Sequence, residues 1–122
     1  MVRNAAIIGR GHNQVVHGPD PTAHAEILAI RDACATLGRF DLAGCELFST
    51  CEPCPMCYAA AWWARISTTH YGCTRHDAER FGFDDAAIYD DLEGRGPRQG
   101  GSSRAAVCAQ VLLLEVDHLV AA

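Results

Sequence analysis

Lysine is absent from this chain of 122 residues, so all ten basic side chains are arginine, and they are spread from Arg3 to Arg104 without a dense cluster. Set against fifteen acidic residues they leave a formal net charge of −5. A protein that follows a phosphate backbone normally displays a basic stripe, so this balance disfavours a nucleic-acid partner and favours a small substrate. No apolar run approaches the ~20 residues of a membrane span, and Met1-Val2-Arg3-Asn4 does not open a secretory signal. The expectation is a soluble, cytoplasmic protein with no membrane partner. Internal repeats and long low-complexity tracts are lacking too. So is an even cysteine count: seven cysteines in a chain rich in periodic apolar segments fit a reducing compartment better than a disulfide scaffold. The length predicts one domain over residues 1–122, large enough to bury a core.

Residues 5–16 give two short apolar runs around a glycine-flanked polar break, which reads as a strand leading into a loop. Asp20 before Pro21 reads as an N-cap followed by proline at the first helical position. A helix is expected from there to about Leu37, with Ala23, Ile27, Ile30, Cys34 and Leu37 on its apolar face and Gly38 as its stop. Residues 45–50 read as a buried strand, broken by Glu52-Pro53. A second helix begins at Cys54 and carries residues 56–64, and a further strand covers about 66–72. The order strand, helix, strand, helix, strand predicts an α/β protein with a mostly parallel sheet. Short helices are expected at 77–81 and 84–92, a flexible linker at 93–103, and then a segment at 107–118 whose period fits helix and strand equally well.

Chemistry concentrates in Ser49-Thr50-Cys51-Glu52-Pro53-Cys54-Pro55-Met56-Cys57. Cys54 and Cys57, three apart at a helix start, point their sulfurs the same way, and the unpaired N–H groups and dipole of the helix end favour their thiolates. By themselves they fit structural zinc, a redox pair or a catalytic metal. Structural zinc normally takes a second closely spaced pair, and none is evident. Cys34, Cys45, Cys73 and Cys108 stand singly and read as small core residues, while Cys51 precedes the proline and reads as a strand end outside the site. His24 is the third ligand candidate because Glu26 lies two residues on; His12, His17, His70, His76 and His118 read as surface residues. One histidine and two cysteines leave a fourth position for water, whose pKa a zinc ion lowers to roughly 7, and Glu26 is then the base that takes its proton.

His-x-Glu followed by Pro-Cys-x-x-Cys is the signature of zinc deaminases. On those residues the chain resembles the cytidine-deaminase-like superfamily. On Asp20-Pro21-Thr22-Ala23-His24-Ala25-Glu26, Cys51-Glu52-Pro53-Cys54-Pro55-Met56-Cys57, Trp63-Ala64-Arg65 and Gly82-Phe83-Asp84-Asp85 it resembles more narrowly the guanine deaminases, from about Gly9 to Leu92. The resemblance implies a three-layer α/β/α fold with a mixed, mostly parallel sheet, one zinc per subunit and a homodimer. It implies that His24, Cys54 and Cys57 hold the zinc, that Glu26 shuttles protons, and that Asn13, Ala25, Trp63 and Asp85 contact the base. Trp62 reads as core or interface packing. The implied reaction is hydrolytic deamination of a purine base, guanine to xanthine and ammonia. Guanosine, cytosine and cytidine deaminases share much of the motif set, and a tRNA adenosine deaminase, a non-catalytic zinc module and a redox protein are the other classes.

Two stretches depart from the family pattern. Residues 94–103 do not match the C-terminus of guanine deaminases. Relatives begin with a helix and a first strand, which lies between the strands placed here at Ile7 and Leu47. Only Val2-Arg3-Asn4 is available as that strand's remnant, so an N-terminally short domain is expected.

Overall fold

A computed structural model describes residues 1–96. Its elements follow in the order β1 (Val2–Arg3), β2 (Ala6–Ile7), α1 (Ala25–Leu37), β3 (Glu46–Cys51), α2 (Pro55–Trp63), β4 (Thr68–Cys73), α3 (Arg75–Glu79) and α4 (Asp85–Leu92). The segment at 107–118, Cys108 and the part of the expected linker beyond Gly96 lie outside the described residues.

The sheet runs β2-β1-β3-β4 and is mixed. Its longest ladder, β3 with β4, is parallel and pairs Leu47 with Thr69 and Cys51 with Cys73. β1 is antiparallel to both neighbours, meeting Glu46 of β3 through Val2. Val2 and Arg3 therefore stand where the strand remnant was expected, between Ile7 and Leu47. They reach β2 through Asn4 and Ala5, whose φ angles of 49° and 60° are those of a two-residue hairpin turn that follows the strand twist.

Alternation along β3 decides which face is covered. Leu47 is buried, whereas Glu46, Phe48 and Thr50 on the opposite face are exposed. Leu47 joins Ala29 and Ala33 of α1, Ala61 of α2, and Leu42, Cys45, Ala64 and Ile66 in one cluster. The helical layer is set against that face. No described helix is long and apolar enough to cross a membrane.

α1 departs from expectation at both its start and its buried stripe. Asp20 is not its cap: its Oδ1 accepts from the N–H and the hydroxyl of Thr22, at 2.8 and 2.7 Å, and so closes a turn. The helix begins five residues later, with extended His24 at its N-cap, and ends at Gly38 in the left-handed region, as expected. Its buried residues are Ala29 and Ala33, with Ile30, Cys34 and Leu37 packed around them. Ile27 stays half-exposed, and Ala23 is buried in the preceding loop. The reason is the loop at Gly9–Gly11, which crosses α1 so closely that a methyl group on Gly11 would lie 2.2 Å from Ala25 O, and one on Gly9 2.6 Å from Ala29 O. Only small residues on both sides permit that approach.

One packing expectation fails. Cys73 is exposed rather than in the core, because it ends β4 at the sheet edge. Trp62 is 66% exposed on α2, which removes the core half of its reading and leaves interface packing.

Candidate metal centre

Two helix N-termini meet at this site. His24 is the N-cap of α1, with no side-chain capping bond, and Cys54 is the N-cap of α2, with Pro55 opening the helix and Cys57 in its first turn. Residues 24 and 54 are extended, which aims both side chains away from their helices and towards each other. His24 Nδ1 lies 3.6 Å from Cys54 Sγ and 3.6 Å from Cys57 Sγ, and the three atoms fall within 4.8 Å of one another. Tetrahedral zinc, with bonds of about 2.0 Å to nitrogen and about 2.3 Å to sulfur, separates such atoms by about 3.5 Å. The donor set and its spacing therefore fit zinc. Among the described residues this is the cluster of metal-ligating side chains, and Cys51 is not part of it.

The thiols divide their proton. The hydrogen bond from Cys57 holds the Cys54 thiol down to about 6 against its burial, helped by backbone N–H groups of Cys57 and Met56 and by His24. Cys57 is pushed up by the same bond with Cys54, then by its burial and by the Glu26 carboxylate. Without a cation, one ionised thiol makes the second resist. A divalent ion removes that conflict, which is the electrostatic reason such a pair binds metal.

Glu26, in the first turn of α1, is held between two groups. Ser49 Oγ donates to its Oε1 at 2.9 Å, and Cys57 Sγ lies 3.6 Å from its Oε2. Its carboxylate thus borders the candidate ligands with one oxygen already oriented. Ser49 is a site residue that sequence reasoning missed. The signal was present, since Ser49 falls two residues after buried Leu47 and so faces the helices. Asp85, at the start of α4, is brought towards the same region: its burial pushes its carboxyl up, the His24 ring opposes this, and the charge of Glu26 adds to it.

The remaining predicted contacts separate. Ala25 opens α1 between His24 and Glu26. Asn13 is exposed in the loop, and its Oδ1 accepts from Val15 N at 3.0 Å. Trp63 ends α2 and is 75% exposed; six residues past Cys57, it sits about 9 Å further along the helix axis. A cavity of about 360 Å³ runs beside β3 with Gly11, Glu26 and Ser49 on its wall. None of His24, Cys54, Cys57 or Asp85 borders it, so it adjoins the back of Glu26 rather than the metal cluster.

Comparison with known proteins agrees with this geometry. The family model for the cytidine and deoxycytidylate deaminase zinc-binding region matches residues 1–73. The guanine deaminase of Bacillus subtilis (strain 168) is 47% identical over 93 residues, which is 76% of this chain and 60% of that protein. The tRNA-specific adenosine deaminase of Aquifex aeolicus (strain VF5) is 50% identical over 66 residues, 54% of this chain and 44% of that protein. The matches thus span between about two fifths and three fifths of these relatives' length. An X-ray structure of guanine deaminase from Bacillus subtilis superposes with a TM-score of 0.82 at 38% identity, covering 97% of this chain and 76% of that one.

Proposed function

This chain belongs to the cytidine and deoxycytidylate deaminase zinc-binding family, and from that premise we propose that it hydrolytically deaminates a purine base, with guanine converted to xanthine and ammonia. The observation that carries the reading is Glu26 fixed by Ser49 against a His24, Cys54, Cys57 cluster of zinc dimensions. Those three residues would hold zinc, which when bound lowers the pKa of water to about 7 and so supplies a nucleophile at neutral pH.

The protein's own part is proton movement and placement. Glu26 Oε2 faces the cluster and takes the proton of the attacking water, while the Ser49 bond keeps Oε1 from turning away. The same carboxyl then delivers that proton to a ring nitrogen of the base, takes a second proton from the hydroxyl now bonded to the ring carbon and passes it to the amine, which leaves as ammonia, so that it acts as general acid and base. Asp85 offers carboxylate acceptors to the N–H groups of guanine, with Asn13 and Ala25 completing the contacts. Trp63, at the end of α2, stays in the proposal as a base contact on the strength of the family resemblance alone. Guanine is preferred over the other bases because the 93-residue match is to a guanine deaminase. A tRNA adenosine substrate is the second reading, favoured by the 50% identity to the Aquifex aeolicus enzyme and disfavoured by the net charge of −5. A homodimer with one zinc per subunit completes the proposal.

The test is ammonia release by zinc-loaded protein given guanine, guanosine, cytosine, cytidine, adenine or tRNA. Release from guanine alone is expected. Release from tRNA alone selects the second reading, and release from none overturns both. Glu26→Gln should keep its zinc and lose about 10²- to 10⁴-fold in turnover; near-normal ammonia release by this variant would sink the role given to Glu26.

A further inference from the structure

Glu52 and Pro53 carry the chain from the end of β3 to Cys54, with neither helix nor ladder of their own. They are nevertheless held on every side. Glu52 N–H donates to Cys73 O at 2.7 Å, at the end of β4. The Glu52 carboxylate receives three bonds from Arg75, the first residue of α3: backbone N to Oε2 at 2.7 Å, and Nε and Nη2 to Oε1 at 3.1 and 2.7 Å. The Arg75 guanidinium lies 3.7 Å over the ring of Tyr89 on α4. Tyr89 OH returns the circuit by donating to Pro53 O at 2.9 Å.

We propose that Glu52, Arg75 and Tyr89 form a closed clamp that positions Cys54 for its metal, with Arg75 and Tyr89 as positioning residues. It rests on the assignment of His24, Cys54 and Cys57 as zinc ligands. The contacts enclose the residue immediately before Cys54 from both flanks, so displacement of the passage breaks charge-assisted bonds as well as a cation–π contact. These groups are sheltered: the side chains of Arg75 and Glu52 are only 29% and 13% exposed, which separates them from ordinary surface ion pairs. Asp85 lies one helical turn before Tyr89 on α4, so the same clamp fixes the spacing between the carboxylate assigned to the base and the thiolate assigned to the metal. Groups that orient a ligand from outside the metal shell typically govern affinity by about 10- to 100-fold.

Zinc affinity, measured by competition with a chromophoric chelator, tests the clamp without reference to turnover. Arg75→Ala should bind zinc about 10- to 100-fold more weakly than wild type. Arg75→Lys should not restore it, because an ammonium cannot bond along Glu52 and lie flat on Tyr89 together. Tyr89→Phe keeps the ring and removes one hydrogen bond, so it should lose about 2- to 12-fold while melting close to wild type. The double variant Arg75→Ala/Tyr89→Phe should be little weaker than Arg75→Ala, as expected of groups acting together. Arg80→Ala, which removes an exposed arginine at the end of α3, should leave affinity unchanged. If Arg75→Ala does not fold, Tyr89→Phe decides. Wild-type affinity in Tyr89→Phe, or an equal loss in Arg80→Ala, overturns the clamp. A Cys54→Ser variant that binds zinc as tightly as wild type overturns the metal assignment and the clamp with it, an outcome distinct from loss of the clamp alone.

Discussion

At the scale of single residues, the site sets a partly buried acid against folding stability. Burial pushes the Asp85 carboxyl above its ordinary range of about 3.8. A carboxyl whose folded pKa is raised binds its proton more tightly when folded, so its charged form lowers stability once the pH rises past the unfolded value. In zinc-free protein Asp85→Asn should therefore be more stable than wild type at pH 7, and the gain should disappear below about pH 3.8. Thermal melts across pH measure this, and an Asp85→Asn variant less stable than wild type at pH 7 would contradict it. In zinc-loaded protein the same variant should bind guanine more weakly if Asp85 is the base contact proposed for it. His24 was separable from the other histidines in the sequence because Glu26 stands beside it in the His-x-Glu pattern. Ser49 could have been found by alternation along its strand. Arg75 and Tyr89 could not, since their bonds to residues 52 and 53 cross 23 and 36 positions and leave no local pattern.

Among the elements, α1 shows where local chemistry and tertiary packing diverge. Asp20-Pro21 has the form of a helix start, yet Thr22 occupies the aspartate in a turn and the helix waits until Ala25. That delay leaves His24 extended at the helix end instead of inside the first turn, and so able to meet Cys54 and Cys57. The glycine loop then selects which face of α1 is covered, drawing Ala29 and Ala33 inward. Gly11→Ala should destabilise the protein by about 1–3 kcal/mol, because the added methyl meets backbone rather than a side chain that can turn aside. Since Gly11 lies against Ala25, the neighbour of Glu26, Glu26 should also lose its alignment. Denaturant unfolding and ammonia release on the one variant check both effects, and unchanged stability would remove the close approach as a constraint. Within β3 the period of two was readable from Leu47 and Ser49, whereas the exposure of Phe48 depends on what lies across that face.

For the whole molecule, the candidate ligands join helices whose ligand positions, 24 and 54, are 30 residues apart in the chain. A metal bound there ties α1 to α2 across the core at Ala29, Ala33 and Ala61, and binding confined to the folded state adds to stability. At a free zinc concentration about 100 times the dissociation constant the gain is about 2.7 kcal/mol. Chelation should lower the melting temperature accordingly, Cys54→Ser should abolish the zinc-dependent shift, and a melting temperature indifferent to zinc would argue against the site. The sequence by itself determined the motif: Glu26 two residues after His24, and Cys57 three after Cys54, are local spacings that point to a metal and a base. It also determined an α/β order of elements, whereas the pairing of Val2 and Arg3 between β2 and β3 came from the structure. Only the tertiary structure decided that Ser49 holds Glu26 and that Arg75 and Tyr89 enclose the approach to Cys54. Those contacts join segments distant in the chain, and their geometry follows from how the helices and strands stack rather than from the pattern of any one stretch.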